Sequence, residues 1–355
     1  MDNLPVEITL NIFYRFSAET VLECQRVCKT WQNLLSLDKT NFADVHLRHQ
    51  LLQANHQEQQ GANNFACASV GLIFLIKSHN KETSRQLYYG EFDENRDYHE
   101  QCICNTLRRI CRKFVMIDNP SVNQLTSGGM YYKDLLVGSI NGLVCFAEPK
   151  PNDRNDIIRD PIHIFNPITK EHLHLQGFNE KHAVRRIYSG FGYNHQTNEY
   201  KVVRILSSDD SKNGDIEVHT LGRSNRWRNI GVINNCFSSA YGVFANGALL
   251  WLDIKEEEIM AFNLSDEKFH AIQLGELSYR AYCGRISILR TFGEWLFVSS
   301  HERYKPKCLD IWALKKTLPS ERSTGTNAPT TSNDQNESLS WCKEFSITPE
   351  NSSSP

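Results

Sequence analysis

The chain has 355 residues, of which 40% are hydrophobic and 23% charged, and its formal net charge is -2. This composition is ordinary for a globular protein and leaves room for one small and one large domain. Because 39 Lys+Arg nearly balance 41 Asp+Glu, no basic face is indicated, and nucleic-acid binding lacks its usual electrostatic basis.

The amino terminus lacks the features of a secretory signal. Met1, Asp2 and Asn3 supply no basic n-region, and no apolar h-region follows them. The apolar run at residues 71–76 is far too short to span a bilayer. We therefore expect no membrane segment and a location in the cytoplasm, the nucleus or both. The 11 cysteines are expected to be thiols rather than disulfides.

The first 35 residues predict three short helices. Pro5 suits the first turn of a helix, because the N–H that it lacks would have no partner there. Ile8 and Ile12 lie four residues apart and, with Leu4 one turn earlier, form an apolar stripe. Ser17 is predicted to cap the second helix with its side-chain oxygen.

The second and third predicted helices carry further apolar residues. Val21 and Leu22 lie in the second, while Val27 and Trp31 recur at helical spacing in the third, with Cys28 beside them. A module of about forty residues is near the lower size at which a domain stands alone, because it buries little surface, and it usually needs a partner. Two interpretations are open: these side chains dock a partner, or they pack on the rest of the chain.

This segment resembles an F-box. The matching residues are Leu4, Pro5, Ile8, Ile12, Val21, Leu22, Val27, Cys28, Lys29 and Trp31. The resemblance implies docking to the Skp adaptor and, through it, to a cullin scaffold that recruits a ubiquitin-charged enzyme. All of these residues except Lys29 are the implied adaptor-binding residues. Phe16-Ser17 stands where many relatives have Leu-Pro, which bears on the strength of docking rather than on docking itself.

The pattern changes after the fourth predicted helix, at residues 41–52. Residues 53–64, rich in Gln, Asn and His, are predicted to be a linker. From residue 65, short runs of aliphatic and aromatic residues broken by Gly, Asn and Asp predict strands, and only residues 105–114 look helical. Two predicted segments, residues 135–146 and 243–252, each contain a turn between two strands. The other predicted strands are residues 68–76, 162–166, 200–205, 216–221, 259–263, 286–289, 296–298 and 309–314.

Glycines recur at similar intervals through this region. Asn141-Gly142, Asn246-Gly247 and Phe292-Gly293 each precede a strand, and with Gly192 the four glycines are 50, 55 and 46 positions apart. The spacing suits one four-stranded blade per unit, as in kelch-type propellers, where ring closure protects strand edges. A pair of β-sandwiches is the alternative.

The same region resembles the F-box-associated domain of plant F-box proteins, over about residues 65–347. The matching pieces, in order, are residues 137–145, 166–170, 190–193, 200–203, 227–228, 246–251, 259–269 and 311–312. The expected fold class is multidomain α+β, with a small all-α F-box at residues 1–52 followed, after the linker, by an all-β propeller-like domain. Residues 348–355 form a tail.

One segment of this domain departs from the strand pattern. Residues 317–340 are dominated by Ser, Thr, Asn and Pro and are predicted to be a disordered insertion. Residues 341–345 are predicted to return as the strand that partners residues 309–314.

No metal site, cofactor or catalytic residue is predicted. Cys102-Ile103-Cys104, with His99 before and Cys111 after, matches structural zinc spacing poorly. His172 and His174 share one face of a strand, but the sequence offers no third ligand in register. Nucleophile elbows, phosphate loops, metal-binding helices and kinase signatures are absent from the sequence.

Together the two resemblances imply a non-catalytic substrate-recognition subunit of a Skp-cullin-F-box ubiquitin ligase. The F-box would dock the adaptor, and the propeller would bind a target protein, with residues 150–159 and 207–215 as candidate contact loops. An adaptor-bound interaction protein that acts outside a ligase and a propeller enzyme are the alternatives.

Overall fold

The computed structural model divides into two compact units. One comprises residues 1–150 with 162–175, and the other residues 151–161 with 176–355. The residues that the structure describes are 4–36, 41–59, 71–77, 85–92, 111–117, 135–151, 157–178, 184–208, 213–224, 226–253, 255–277, 286–288, 296–301, 309–317 and 338–347.

Four helices open the first unit, and local sequence signals determine where the first three begin. α1 begins directly after Pro5, as predicted. Ser17 caps α2, its Oγ accepting a hydrogen bond from the Thr20 N–H at 3.3 Å, also as predicted. The third helix begins after Cys28, so Val27 precedes it rather than lying within it. The helices are α1 (Val6–Phe13), α2 (Ala18–Cys24), α3 (Lys29–Leu35) and α4 (Phe42–Gln59).

The helices enclose a small core of their own. Phe13, Val21, Leu35 and Phe42, one from each helix, are buried together. Trp31 is half-buried beside them, its ring meeting that of Phe13 edge to face with 5.0 Å between centroids. Each helix thus contributes one large apolar side chain to a core that is closed within the module.

The fourth helix extends farther than predicted. It continues to Gln59, so residues 53–59 are helical rather than part of a linker. Gln and Glu, which are frequent there, are good helix formers. Gln50 anchors the helix by donating to the Tyr14 and Phe16 carbonyls at 2.9 and 3.1 Å. Residues 60–64 lie outside the described residues, and the domain boundary stays a prediction.

Nineteen strands are present among the described residues. β1–β3 form a three-stranded sheet, and β4–β7, β8–β11, β12–β15 and β16–β19 form four-stranded sheets in which each strand pairs with its neighbour in sequence. The first eleven strands are β1 (Gly71–Lys77), β2 (Arg85–Phe92), β3 (Cys111–Ile117), β4 (Leu136–Ile140), β5 (Leu143–Pro151), β6 (Ile157–Phe165), β7 (His172–His174), β8 (Val184–Asn194), β9 (Glu199–Ser208), β10 (Gly214–Thr220) and β11 (Arg228–Ile233). The others are β12 (Val243–Ala245), β13 (Ala248–Asp253), β14 (Glu258–Asn263), β15 (Lys268–Gln273), β16 (Ile286–Ile288), β17 (Leu296–His301), β18 (Leu309–Thr317) and β19 (Ser338–Ile347).

Each predicted strand segment overlaps an observed strand, and two of the predicted turns are present. Asn141-Gly142 joins β4 to β5, and Asn246-Gly247 joins β12 to β13, with positive φ at all four residues. Positive φ at both central residues is the requirement of a type I′ hairpin turn, which Asn-Gly meets best. The third turn, Phe292-Gly293, lies outside the described residues.

Gly192 has a different role from the turn glycines. It lies in the middle of β8, where an added Cβ would come within 2.5 Å of the Phe244 ring. A glycine there permits close packing of β8 against β12 and its neighbours rather than a turn. The regular spacing of the four glycines therefore combines turn residues with a packing residue.

Two predicted segments need correction. The helix expected at residues 105–114 is wrong where the structure describes it, because residues 111–114 lie in β3 and Phe114 pairs with Gly90 of β2. Pairing with a neighbouring strand overrides the weak local helix signal. The insertion predicted at residues 317–340 is shorter at both ends, because Thr317 of β18 pairs with Ser338 of β19. Residues 318–337 lie outside the described residues.

The second unit consists of sheets whose inner strands are buried and whose last strands are exposed. β8 is buried at eight consecutive residues, 187–194, while β11 and β15 are largely open to solvent. Leu249, Trp251 and Phe262 belong to a core shared by neighbouring sheets. Consecutive four-stranded meanders stacked in this way are the architecture of propeller blades. The predicted fold class, a small all-α module before an all-β propeller-like domain, is confirmed.

Candidate functional site

The helical module has an exposed apolar surface on α1 and on the turn before α3. Leu4, Val6, Ile8 and Val27 are exposed by 41%, 50%, 49% and 66%. Leu4 and Ile8 are four residues apart and so follow one another along the same side of α1. The core is closed by other residues, and these four aliphatic side chains are not required for it. They are called the apolar face below, together with the exposed Pro5 and Cys28.

The side of α1 that packs on the helical core determines which of its side chains are buried. Thr9 and Phe13 are its buried residues, and the Thr9 hydroxyl donates to the Pro5 carbonyl at 3.1 Å. This leaves the side that carries Leu4 and Ile8 in solvent. Exposed aliphatic side chains that a small module does not need for its core are candidates for an interaction site.

The predicted adaptor-binding residues fall into three groups. Leu4, Pro5, Ile8, Val27 and Cys28 are exposed. Ile12, Leu22 and Trp31 are half-buried, and Val21 is buried in the helical core.

Val6 belongs to the exposed surface but was not among the predicted residues. Helical spacing puts Val6 more than half a turn around α1 from Leu4 and Ile8, so its position next to Pro5 is the only signal that the sequence offers. Val21 shows the reverse case, since its role in this arrangement is to support the core.

A second candidate surface is a cleft in the other unit. Two adjoining pockets, of about 370 and 560 Å³, share Arg185, Arg186 and Tyr188. Arg159 lines the first and Lys255 the second, and no Asp or Glu is among the lining residues that the structure describes. Burial raises the pKa of Tyr188, against the opposing effect of its hydrogen bond with Arg186.

The cleft brings together parts of the two candidate contact loops. Arg159 is the last residue of the predicted loop 150–159, and Ser207 and Ser208 begin the loop 207–215. The structure places these residues in β6 and at the end of β9, so the described ends of the two predicted loops line a single surface that carries several positive charges. We call this surface the cationic cleft.

A buried ionic network supports the strands next to this surface. Arg204 Nη1 lies 2.8 Å from Asp160 Oδ1, and Arg204 Nε lies 2.7 Å from Glu217 Oε2. The guanidinium also covers the Trp227 ring, 3.9 Å from its centroid, and Trp227 Nε1 donates to the Gln176 carbonyl at 2.6 Å. One arginine thus holds together residues that are distant in sequence.

Two further salt bridges join sequence segments that match the F-box-associated domain separately. Glu267 accepts from Lys201 Nζ at 2.8 Å and from Arg228 Nη2 at 2.7 Å. Burial would raise the pKa of Glu267, but the hydrogen bonds from Arg228 and Lys201 hold it below its ordinary value. Three motifs, each weak alone, therefore meet at one carboxylate.

The described cysteines Cys24, Cys28, Cys145, Cys236 and Cys342 are free thiols, as expected. Burial raises the pKa of Cys24, with a smaller contribution from neighbouring Glu23. The Cys102-Ile103-Cys104 segment lies outside the described residues. No helix among the described residues is long and apolar enough to cross a membrane.

Histidines from two paired strands meet a glutamate in the first unit. Glu148 Oε2 lies 3.5 Å from His163 Nε2 and 3.8 Å from His174 Nε2. His163 Nδ1 shares a hydrogen bond of 2.9 Å with His172 Nε2. Burial lowers the pKa of His172, and the nearby His174 lowers it further. The structure therefore supplies partners for His172 and His174 that the sequence did not reveal.

Comparison with known proteins identifies the class to which this architecture belongs. Residues 1–45 match the F-box-like family. Residues 113–319, more than half of the chain, match the family described as F-box associated beta propeller domain. The chain belongs to this family of F-box associated beta propeller domains.

Curated relatives agree with this assignment. An F-box/kelch-repeat protein of Arabidopsis thaliana is 24% identical over 88% of this chain and 76% of its own length. Two further F-box proteins of that plant are 21% and 23% identical, over 77% and 90% of this chain and 60% and 67% of theirs. The chain thus spans about three fifths to three quarters of the length of these relatives.

Proposed function

We propose that this chain is the substrate-recognition subunit of a Skp-cullin-F-box ubiquitin ligase. Its F-box docks the Skp adaptor, and its propeller-like domain binds a target protein for ubiquitination. The observation that carries the proposal is the apolar face, which lies on a module whose core is complete without it. The F-box-like match over the same residues supports the same partner.

The apolar face supplies enough free energy to matter for docking. Fully burying an aliphatic side chain contributes about 1.5–3 kcal/mol, so a half-exposed one contributes roughly 1 kcal/mol when a partner covers it. Leu4, Val6, Ile8 and Val27 together therefore offer a few kcal/mol, before the entropic costs of association. The difference from other F-boxes at Phe16-Ser17 does not alter these four side chains, because Phe16 packs on the helical core and Ser17 caps α2.

The proposed role requires no catalytic residue or cofactor in this chain. A receptor raises the effective concentration of target lysines beside a charged ubiquitin-conjugating enzyme, and the rate increase comes from proximity. We place the protein in the cytoplasm or the nucleus, where free thiols persist. The five described free cysteines agree with such a reducing compartment.

Assembly with the adaptor and a cullin tests the proposed function. The purified chain, mixed with Skp adaptor and then with cullin, should elute from a size-exclusion column as one complex that contains all three. Binding of the adaptor without recruitment of the cullin would favour an interaction protein that acts outside a ligase. A chain that elutes separately from the adaptor contradicts the proposal.

For the target, we propose the cationic cleft as the docking surface and an acidic segment as its ligand. The cleft carries four cationic residues, and Arg159, Ser207 and Ser208 from the ends of the two predicted contact loops are among its lining residues. Opposite charge across an interface mainly sets specificity and the association rate. A target segment rich in Asp or Glu fits this surface.

Charge reversal in the cleft tests the target side. The double substitution Arg186→Glu with Lys255→Glu should weaken binding of a fluorescein-labelled oligoglutamate peptide by about tenfold in fluorescence anisotropy. Both side chains are exposed, and circular dichroism should show an unchanged fold despite the loss of the Arg186 hydrogen bond with Tyr188. Arg226→Glu with Lys268→Glu makes the same charge change at exposed positions outside the cleft. Equal loss in both double variants would show a general charge effect and exclude the cleft.

A further inference from the structure

Strand pairing gathers three metal-binding side chains on the sheet β4–β7. His163 of β6 stands directly opposite His174 of β7 in the antiparallel register. His172 lies two residues from His174, so the two side chains leave the same face of the strand. Glu148 of β5 reaches both His163 and His174 with one carboxylate oxygen.

The separations suit a single small cation. One nitrogen each from His163 and His174 and one oxygen from Glu148 all lie within 4.8 Å of one another. Zinc bound at 2.0–2.1 Å by tetrahedral nitrogen and oxygen ligands holds those ligands about 3.3 Å apart. The two distances from the Glu148 oxygen, 3.5 and 3.8 Å, exceed this by only a few tenths of an ångström. Rotations of the exposed His174 and half-buried Glu148 side chains would close the ligands around the ion, and the two histidine nitrogens, which lie within 4.8 Å of each other, would have to approach most.

The second nitrogen of His163 already has the contact that a ligand histidine needs. A metal-bound imidazole usually donates its other ring N–H to a neighbouring acceptor, which fixes its tautomer and orientation. His163 Nδ1 shares its 2.9 Å hydrogen bond with His172 Nε2, and the two rings are stacked with centroids 5.1 Å apart. His163 is also buried, which limits the orientations that its ring can adopt.

Access and chemistry agree with an exchangeable ion. His174 is exposed and Glu148 is half-buried, so the ligands open to solvent on one side while buried His163 forms the inner wall. Two imidazoles and one carboxylate select zinc-like d-block cations over magnesium or calcium, which prefer oxygen ligands. The fourth position would be taken by water.

We propose that Glu148, His163 and His174 form a zinc site that fastens the short edge strand β7 to β5 and β6. β7 has only three residues, His172–His174. His174 would be a zinc ligand, and His172 would support the ligand His163 through their hydrogen bond. Zinc bound by three neighbouring strands stabilises the sheet by mass action, because the unfolded chain does not hold these ligands together.

Calorimetric titration of the full chain with zinc, against the variants His174→Gln and Glu148→Gln, tests the site. The wild type should bind one zinc ion at this site, and each substitution should weaken that binding by about 100-fold; loss of the supporting contact in His172→Phe should cost about tenfold. His270→Gln is the matched control, since His270 is also exposed and lies 3.3 Å from the Asp266 carboxylate but has no further ligand among the described residues. Its zinc affinity should equal that of the wild type.

Cobalt spectroscopy separates this site from cysteine sites elsewhere in the chain. Cobalt held by Glu148, His163 and His174 should give visible d–d bands without a thiolate charge-transfer band, and His174→Gln should remove those bands. Thermal melting in the presence of a chelator should be the same for wild type and His174→Gln, which establishes that the variant is folded. Zinc affinity unchanged by both His174→Gln and Glu148→Gln, or the absence of zinc binding to the wild type, would overturn the proposal.

Discussion

Replacing Arg204 with leucine should lower the free energy of unfolding of the propeller-like domain by about 3–5 kcal/mol. Arg204 and Asp160 are both buried, and their charged atoms are 2.8 Å apart. Leucine would leave the Asp160 carboxylate without its cation in a poorly solvated place and would remove the guanidinium from the Trp227 ring. Urea denaturation monitored by tryptophan fluorescence measures the change.

An exposed ion pair provides the matched control. Arg223 pairs with Glu199, but the arginine side chain is mostly in solvent, so Arg223→Leu should cost no more than about 1 kcal/mol. Replacing Arg204, Asp160 and Glu217 together by apolar residues should recover much of the lost stability, because no charge is then left buried alone. Equal destabilisation by Arg204→Leu and Arg223→Leu would contradict a central role for the buried network.

Features encoded by neighbouring residues could be predicted from the sequence. Pro5 and Ser17 determine the starts of α1 and α2 through their own backbone and side-chain chemistry. The Asn-Gly pairs at 141–142 and 246–247 determine two hairpins because they tolerate positive φ. The hairpin of β18 and β19 could be predicted across the insertion because both strands have strong hydrophobic patterns.

Features that depend on strand register could not be predicted. The sequence places His172 and His174 on one face, but only the pairing of β6 with β7 brings His163 opposite His174. Nothing local indicates that Glu148 approaches both histidines. The same limit applies to residues 111–114, which form a strand because they pair with β2.

The candidate docking site shows a related limit on a smaller scale. Helical periodicity groups Leu4, Ile8 and Ile12 on one stripe, but it could not tell which side of α1 meets the core. The buried side carries Thr9 and Phe13, which leaves most of the predicted stripe in solvent. The relative burial of Val6 and Val21 follows from helix packing, which the spacing of apolar residues does not encode.

The second large effect is expected at the apolar face, where Ile8→Glu should abolish binding of the Skp adaptor. Ile8 is about half exposed, so glutamate at this position is solvated in the free chain and should not disturb folding. In a complex the same carboxylate would be buried against an apolar partner without a compensating cation, which costs several kcal/mol. A loss of affinity of at least about 100-fold follows.

Ile8 is a better test position than Trp31. Trp31 is half-buried and packs edge to face on Phe13, so Trp31→Ala should abolish co-purification of the adaptor partly by weakening the helical core. Leu4→Ala with Pro5→Ala removes exposed residues but also the residue that starts α1. Ile8→Glu changes the surface alone.

Val45→Glu is the matched control, because Val45 is also an exposed aliphatic residue of the helical module, on α4, and lies outside the apolar face. Calorimetric titration of the adaptor into the wild type and both variants measures whether the apolar face is the docking surface. We expect equal affinity for wild type and Val45→Glu, and affinity at least about 100-fold weaker for Ile8→Glu. Wild-type affinity in Ile8→Glu would contradict docking at the apolar face.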